Sequence, residues 1–376
     1  MRLFWHPIHH SADLPKGRAR PVTIMKVEYA LYRGEDGRAH LVDARCPHRG
    51  MLLSAGWVED DCLRCFYHGW KFDSAGQCVE QPAEPKSFAR KVRIRSYPCE
   101  EYLGLVFAYL GDGKPPPLPR YAEFEKFEGI LEHDSYVRAC NFFNNEENAV
   151  DLTHSGFVHR NNPGSFDGFT DSPTMDAAES CWGITVFARW PDQVRMSQIG
   201  MPNVFHHKAQ PTDIALAPYR EFLAWWVPID DESHIQFTVA AVRLPLDKAR
   251  QYEERRALRL AKRSQSRAAL AERILKGEMW LDQVDPDSTD FLRLQDDIAQ
   301  IGQGRIANLQ RERLGQGDRA VIALRKVWAR ELRALAANRP LKRWVYDRAA
   351  LDISRGEKWE ARYAEGVAAA TPRPPG

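Results

Sequence analysis

Two short segments of the chain each pair a cysteine with a histidine. Cys46 and His48 are separated by one residue, and Cys65 and His68, which follow after sixteen intervening residues, are separated by two. Thiolate sulfur and imidazole nitrogen are ligands for zinc and for iron–sulfur clusters. The four residues therefore predict a metal centre with two sulfur and two nitrogen ligands.

The arrangement of these ligands favours an iron–sulfur cluster over structural zinc. Zinc sites usually pair cysteine with cysteine and histidine with histidine, whereas here each segment supplies one of each. A Rieske [2Fe–2S] cluster has two thiolates on one iron and two imidazoles on the other, and the imidazoles make reduction easier. Gly50 and Gly69 stand where such ligand loops must turn tightly. We expect the four residues to bind a Rieske cluster and to carry single electrons.

Length and composition limit the kinds of protein that could use this cluster. The chain has 376 residues, which predicts about two domains, and its net charge of +2 does not indicate nucleic-acid binding. No apolar run approaches the ~20 residues of a membrane span. The first residues lack the apolar region of a signal peptide, and the seven cysteines are then expected to be mostly reduced. These features predict a cytoplasmic protein larger than a simple electron carrier.

Hydrophobic patterns and turn residues predict an α+β chain with an N-terminal all-β part. We expect a Rieske domain at 1–112, a proline-rich linker at 113–121, a catalytic domain at 122–365 and a disordered tail at 366–376. In the second domain, residues 181–245 are rich in β-branched and aromatic residues and predict an antiparallel sheet. Helices are expected at 144–158, 247–276, 295–306 and 318–335.

A second group of potential metal ligands follows the linker in the pattern D-x-x-H-x-x-x-x-H. Asp151 and His154 are three residues apart, so a helix places them on one face, whereas His159 would be rotated off that face. We therefore expect the helix to distort, most readily at Gly156. Two imidazoles and one carboxylate form the facial triad of non-haem Fe(II) oxygenases, which leaves coordination positions open for O₂. Surface or core histidines are the alternative.

Taken together, the two motifs and the linker between them resemble the catalytic α subunit of Rieske non-haem iron ring-hydroxylating oxygenases. The similarity is greatest to the α-only group of phthalate 4,5-dioxygenase and aromatic O-demethylases. This resemblance implies a helix-grip (START-like) catalytic domain, and His154 and His159 as ligands of a mononuclear iron. It assigns the iron carboxylate to a later segment that begins with Gln295, with Asp296 as the ligand and Asp297 as the alternative.

The resemblance gives Asp151 a different role from that of a ligand. It implies that this carboxylate accepts hydrogen bonds from His154 of its own subunit and from a Rieske histidine of a neighbouring subunit, with Asn148 in support. The stiff proline-rich linker should hold cluster and iron apart within one chain, so we expect a head-to-tail homotrimer or hexamer without a β subunit, in which a neighbour supplies the cluster. A partner reductase or ferredoxin would supply electrons from NAD(P)H. O₂ is then the co-substrate.

The function expected from these parts is monooxygenation, by O-demethylation or hydroxylation, of an aromatic and carboxylated compound. A cis-dihydroxylating dioxygenase would have the same metal sites, and an electron-transfer protein would lack the second iron. Inward-facing residues of the sheet should form the pocket, and Arg189, Arg195 and His207 could bind a carboxylate. The candidates for the pocket are Arg189, Gln198, Asn203, Phe205, Trp225 and Trp226.

Overall fold

The computed structural model describes residues 1–160, 173–189, 194–209, 216–217 and 220–344. These residues form two compact units. The first contains Met1–Leu118 and Val227–Asp230, and the second contains the rest of the described chain from Pro119 onward. The division falls inside the proline-rich segment 113–121. The tail predicted at 366–376 lies outside the described residues, as does the predicted end of the catalytic domain.

The first unit is built from short strands in three sheets. Their orders are β1-β11-β10, β2-β3-β4-β9 and β5-β6-β7-β8, and neighbouring strands are antiparallel throughout. The strands are β1 (Trp5–His10), β2 (Arg18–Ile24), β3 (Val27–Arg33), β4 (Ala39–Asp43), β5 (Trp57–Glu59), β6 (Cys62–Arg64), β7 (Lys71–Phe72), β8 (Cys78–Glu80), β9 (Ser96–Tyr97), β10 (Cys99–Tyr102) and β11 (Leu105–Tyr109).

The second unit combines a seven-stranded sheet with helices. The sheet has the order β12-β18-β17-β16-β15-β14-β13. Its strands are β12 (Gly129–Arg138), β13 (Thr174–Glu179), β14 (Gly183–Arg189), β15 (Val194–Gly200), β16 (Val204–Ala209), β17 (Arg220–Pro228) and β18 (His234–Arg243). The helices are α1 (Ala122–Glu125), α2 (Phe142–Val150), α3 (Ser155–Val158), α4 (Leu246–Ala261), α5 (Arg267–Leu275), α6 (Phe291–Gly302) and α7 (Arg319–Ala336). The α+β prediction, with an all-β N-terminal part, is confirmed.

Two of the predicted helices are interrupted. The helix expected at 247–276 is divided into α4 and α5, and Ser266 starts α5 by accepting a hydrogen bond from the N–H of Ala269 at 3.4 Å. Serine favours this position because its hydroxyl satisfies a backbone donor of the first turn. The helix expected at 144–158 ends at Val150 and is followed by a 3₁₀ turn, Leu152–His154, and by α3. The described helices include none with both the length and the apolarity needed to cross a membrane.

Candidate metal centres and active site

The two Cys/His segments of the first unit form loops with matching backbone hydrogen bonds. In the first loop, the N–H of Gly50 donates to the carbonyl of Cys46 at 2.8 Å, and the N–H of Cys46 donates to the carbonyl of Met51 at 2.9 Å. The corresponding bonds of Gly69 and Cys65 are 3.1 Å and 2.8 Å long. Both glycines have a positive φ, +76° and +72°. The tight turns expected from the sequence are therefore present in both loops.

The four side chains of these loops form a donor set that fits a Rieske cluster. Cys46 and Cys65 are buried at 1% and 2% exposure, and the rings of His48 and His68 are half-buried with centroids 4.5 Å apart. The Nδ1 atom of His48 is buried without a hydrogen-bond partner in the described structure, so it is free to bind a metal. Burial, together with the nearby Cys65, raises the pKa of Cys46 to about 12. Iron would be needed to hold this sulfur as a thiolate.

One neighbour of the cluster ligands was not found by the sequence analysis. The indole of Trp70 stacks on the imidazole of His48, with centroids 4.6 Å apart and planes 4° from parallel. Trp70 directly follows Gly69, and only its place beside the ligand loop could have indicated this role. The stacked indole restricts the rotation of the imidazole and covers one of its faces.

In the second unit, the break after α2 brings two histidines and one carboxylate together. One ligand atom from each of His154, His159 and Asp296 lies within 4.8 Å of the others. The Nε2 atoms of His154 and His159 are 3.8 Å and 3.5 Å from Oδ1 of Asp296. The helix distorts at Asp151, where φ is −83° and ψ is 83°, and the expectation that it would distort at Gly156 is wrong. Leaving the helical path at Asp151 allows both imidazoles to face α6.

Hydrogen bonds fix the orientation of both imidazoles. The Nδ1–H group of His154 donates to the backbone carbonyl of Asp151, and that of His159 donates to Oε1 of Gln295 at 2.9 Å. Each ring therefore directs the lone pair of Nε2 toward Asp296. A hydrogen bond from the other ring nitrogen sets the tautomer of metal-binding histidines in this way. Gln295 was not named as a site residue from the sequence, although it precedes the predicted ligand.

The structure separates the two candidate carboxylates. Asp296 faces the histidines, whereas Asp297 is 2% exposed and receives hydrogen bonds from Nε of Arg138, at 2.6 Å, and from Nε of Arg267. Burial alone would raise the pKa of Asp296, but its interactions with His159, Arg138 and His154 hold that pKa well below its usual range. Asp296 is thus an anionic carboxylate beside two imidazoles, a donor set that suits a divalent iron.

Asp151 and Asn148 make contacts that differ from those expected. The Asp151 carboxylate accepts hydrogen bonds from the N–H, at 3.1 Å, and the hydroxyl of Thr153, and it thereby caps the 3₁₀ turn. His154 bonds to the backbone carbonyl of Asp151 and not to its carboxylate. Asn148 donates from Nδ2 to Oδ1 of Asp296 at 3.2 Å, so it contacts the candidate iron carboxylate directly.

Only some of the predicted pocket residues lie on the side of the sheet that faces the helices of this site. Asp134 and Arg138 of β12 bind α6, which identifies the helix-facing side of the sheet. Tyr136, on the same side, donates to Oε1 of Gln236 at 2.7 Å, and Nε1 of Trp226 donates to the same oxygen at 2.8 Å. Phe205, Phe222 and His207 share this side with Trp226, because their strands are paired in register.

Three predicted pocket residues point to the opposite side of the sheet. Trp225 packs edge-on against Tyr121 at 6.0 Å. Gln198 pairs with His206, which packs against Phe124 of α1, and Arg189 shares this side through the β14–β15 register. The structure therefore does not place these three residues in one pocket with Phe205 and Trp226, as the sequence predicted. A strand of alternating orientation can supply only every second residue to one pocket.

Asn203 is not presented as a pocket group either. Asn203 is fully buried in the turn between β15 and β16, where its Nδ2 donates to the backbone carbonyl of Trp226 at 2.7 Å. This contact holds the turn against β17. The side chain of Arg195 lies outside the described part of the chain.

Comparison with known proteins agrees with a Rieske domain in the first unit. The Rieske [2Fe-2S] domain family matches residues 4–98. The chain is 29% identical to the 5,5'-dehydrodivanillate O-demethylase oxygenase subunit of Sphingobium sp. strain SYK-6, over 92% of this chain and 79% of the relative. It is 30% identical to phenoxybenzoate dioxygenase subunit alpha of Ectopseudomonas oleovorans, over 87% of this chain and 79% of the relative. The solved structure of NdmA from Pseudomonas putida CBB5 has a TM-score of 0.67 at 19% identity, covering 93% of this chain and 94% of that one, which shows a shared fold.

These similarities extend through both units and not through the cluster domain alone. The chain belongs to the family of oxygenase (α) subunits of Rieske oxygenases. It is therefore an oxidoreductase that incorporates oxygen from O₂, and a role limited to electron transfer is excluded. The expected family is confirmed.

Proposed function

We propose that this protein is a terminal oxygenase that monooxygenates an aromatic, carboxylated substrate at a mononuclear iron bound by His154, His159 and Asp296. The observation that carries the proposal is the convergence of these three ligand atoms within 4.8 Å in a member of this family. Purified protein should contain mononuclear iron besides the [2Fe–2S] cluster, and should consume O₂ with a reductase and a suitable aromatic acid. Cluster-loaded protein that neither retains a second iron nor consumes O₂ with any aromatic acid or methyl ether would contradict it.

The chain's residues have separate tasks in this reaction. When bound, the [2Fe–2S] cluster supplies electrons one at a time and the mononuclear iron binds and activates O₂. Cys46, His48, Cys65 and His68 would hold the cluster. The hydrogen bonds from Nδ1 of His154 and His159 keep both Nε2 atoms unprotonated and aimed at one point. With three protein ligands, a bound iron would keep coordination positions open for O₂.

An aromatic substrate is supported by the side chains opposite the metal-binding helices. Phe205 lies against Trp226, with centroids 5.6 Å apart and planes 27° apart, and against His207 at 5.3 Å and 29°. Phe222 packs edge-on against Phe205 at 6.3 Å. Stacked rings with one exposed edge or face bind another planar ring well. The names of both curated relatives above also refer to aromatic compounds.

The carboxylate of the substrate would be bound from the helix-facing side of the sheet. Of the three candidates for binding the carboxylate, His207 lies on the helix-facing side of the sheet, whereas Arg189 lies on the opposite side. His207→Phe should therefore raise the KM for an aromatic acid more than the KM for its amide, because the ring remains and the charge interaction is lost. Arg189→Ala serves as the control and should change neither value. Equal effects of His207→Phe on acid and amide would remove this residue as the anchor.

Dihydroxylation is the second candidate reaction, and the similarity to phenoxybenzoate dioxygenase subunit alpha favours it. The two reactions need the same metal ligands, so the product must decide. Turnover under ¹⁸O₂ should place one labelled oxygen in the organic product or in the released formaldehyde if the protein is a monooxygenase. Two labelled oxygens in one diol would establish dihydroxylation instead.

We further propose that the working form is a homotrimer, or two stacked trimers, that receives electrons from a reductase or ferredoxin in the cytoplasm. Asp151 would connect subunits by accepting a hydrogen bond from His48 or His68 of the next subunit. Mixed oligomers of Cys65→Ala and His154→Ala chains, each inactive alone, should recover activity. Verified mixed trimers without activity would show that electrons pass within one chain.

A further inference from the structure

We propose that Arg138 is a positioning residue that fixes the direction of the iron carboxylate, because it binds α6 beside Asp296 and α2 beside Asn148. The inference rests on the proposed iron site. Among the described residues, no hydrogen bond or ion pair joins Arg138 to the candidate ligands. It would act through the residues next to them, so its contribution should be to metal affinity and geometry.

The guanidinium of Arg138 joins three elements of the second unit. It projects from the end of β12, and its side chain is 1% exposed. Its Nε donates to Oδ1 of Asp297 at 2.6 Å, and its Nη1 donates to Oε1 of Gln300 at 2.8 Å and to Oδ1 of Asn145. Asp297 and Gln300 are one helical turn apart on α6, so two points of that helix are held.

The contacts on α6 determine which way Asp296 points. Neighbouring residues of a helix are rotated by about 100°, so fixing Asp297 also fixes Asp296. The Asp297 carboxylate is held on its other oxygen by Arg267. On the other side of Asp296, Gln295 accepts the hydrogen bond from His159. These contacts fix the directions of all three consecutive residues, and of the two carboxylates only that of Asp296 faces the imidazoles.

The contact on α2 acts on the same carboxylate from the second helix. Asn145 and Asn148 are three residues apart and lie on one face of α2. Arg138 binds the first of them, and the second donates to Oδ1 of Asp296. The buried guanidinium of Arg138 therefore connects α6, which carries Asp296, with α2, which carries the hydrogen-bond donor Asn148. Loss of this connection would let both helices move relative to the histidines.

A matched arginine on the same helix allows a controlled test. Arg293 of α6 is also paired with an acid of β12, Asp134, and its guanidinium lies over the ring of Tyr136 at 4.6 Å. It precedes Asp296 by almost one turn, and in the described part of the chain no hydrogen bond or ion pair joins it to Asp297 or to α2. Arg293→Gln should therefore lower stability without changing the metal site, whereas Arg138→Gln should change the metal site itself.

The experiment is Co(II) titration of iron-depleted protein that retains the [2Fe–2S] cluster, with the visible Co(II) spectrum and the Rieske EPR signal recorded together. Arg138→Gln should weaken Co(II) binding by about 10- to 100-fold and alter its spectrum, as loss of outer-shell partners does in other metal sites. Arg138→Lys should restore part of the affinity, because it keeps a charge beside Asp297. Arg293→Gln should remain within about twofold of the wild type, and the Rieske signal should be unchanged in all three.

The outcomes separate this inference from the proposed iron site. Wild-type affinity and spectrum in folded Arg138→Gln would overturn the positioning role, provided that Asp296→Ala has lost Co(II) binding. Normal Co(II) binding by Asp296→Ala would overturn the iron site instead. If Arg138→Gln does not fold, Arg138→Lys decides the question, and wild-type affinity in that variant overturns the inference. Equal weakening by Arg293→Gln would also overturn it, since the effect would then be general destabilisation.

Discussion

The two metal-binding regions obtain their geometry by different means. The cluster ligands come from residues 46–68, in two loops whose backbone hydrogen bonds match and whose turns depend on a glycine with positive φ. The candidate iron ligands come from a broken helical segment and from α6, far along the chain. Each cluster loop has a local turn of its own, whereas the iron site exists only when α2, α3 and α6 are packed together.

This difference predicts different sensitivities. A loop that is closed by its own backbone tolerates changes elsewhere, but it cannot tolerate loss of a ligand. A site assembled from separate helices depends also on residues that hold those helices, such as Asn148 and Arg138. Substitutions can therefore disable one centre and leave the other intact, and the following variants test how independent the two are.

The largest effects should follow from removing one ligand from each centre. Cys65→Ala should abolish the Rieske EPR signal, whose g values average below two, because a methyl group cannot replace a coordinating sulfur. It should leave the binding of a mononuclear divalent metal unchanged. His154→Ala should do the reverse, with loss of mononuclear iron and turnover but a normal EPR signal. Loss of both centres in either variant would show that they are not independent.

The neighbouring carboxylates of α6 should separate metal binding from stability. Asp296→Ala should lose the mononuclear metal with little loss of folding stability. Asp297→Ala should destabilise the second unit by about 3–5 kcal/mol, because it leaves the buried Arg138 and the partly buried Arg267 without their anionic partner. Iron content and denaturant unfolding measure the two effects. Stable, iron-free protein from Asp297→Ala and iron-loaded protein from Asp296→Ala would reverse the assignment.

A pH dependence should arise in the unit that holds the iron site. Glu146 is fully buried, with a hydrogen bond from Nε1 of Trp328 at 2.8 Å, and burial raises its pKa well above the ordinary value. The folded state then keeps a proton that the unfolded state releases, so stability falls as pH rises above the unfolded pKa of about 4.3. Glu146→Gln should remove this loss, because the amide is neutral and still accepts the indole hydrogen bond.

The measurement is the unfolding free energy of both proteins between pH 4 and pH 8. The advantage of Glu146→Gln should grow by up to about 1.4 kcal/mol per pH unit until the folded acid ionises, and it should nearly vanish at the lowest pH. The exposed Glu272→Gln is the control and should show no growing advantage. A difference that is constant with pH would mean that Glu146 is ionised in the folded protein.

The smallest effects should come from the two loop glycines. A Cβ on Gly50 would meet nothing within 4 Å, so Gly50→Ala should cost only the positive φ, about 1 kcal/mol. A Cβ on Gly69 would lie 2.8 Å from Cγ of Pro82, so Gly69→Ala should cost about 1 kcal/mol more. Thermal unfolding of the first unit, followed by bleaching of the cluster, measures both. Equal losses would show that Pro82 moves aside readily.

Several features of the site could be predicted because they depend on short stretches of sequence. The ligand pattern around Cys46 and Cys65 required only the spacing of four residues, and the turns required only the two glycines. The helical segment before His154 was recognised, but the position of its break was not. The helix breaks at Asp151, whose carboxylate caps the following turn, whereas the sequence indicated a break at Gly156.

The pocket was predicted less well, because the sequence of a strand does not show which of its two sets of alternating side chains faces the helices. The sequence identified the aromatic strands but not which of Trp225 and Trp226 faces the helices. That choice is made by Gln236, which accepts from Tyr136 and Trp226 on the helix-facing side. Strand register is a long-range property, and a shift by one residue would reverse the side of every residue in the strand.

Local spacing and periodicity predicted the candidate cluster ligands and the α+β architecture, and the resemblance of the motifs to a known family predicted the two histidines of the second site. Only the folded chain distinguishes Asp296 from Asp297, which are chemically identical neighbours on one helix. It does so through the two guanidiniums that bind Asp297 and turn Asp296 toward the histidines. A charge that is buried needs an opposite charge, and only the folded chain shows which carboxylate is neutralised by arginine and which remains for the metal.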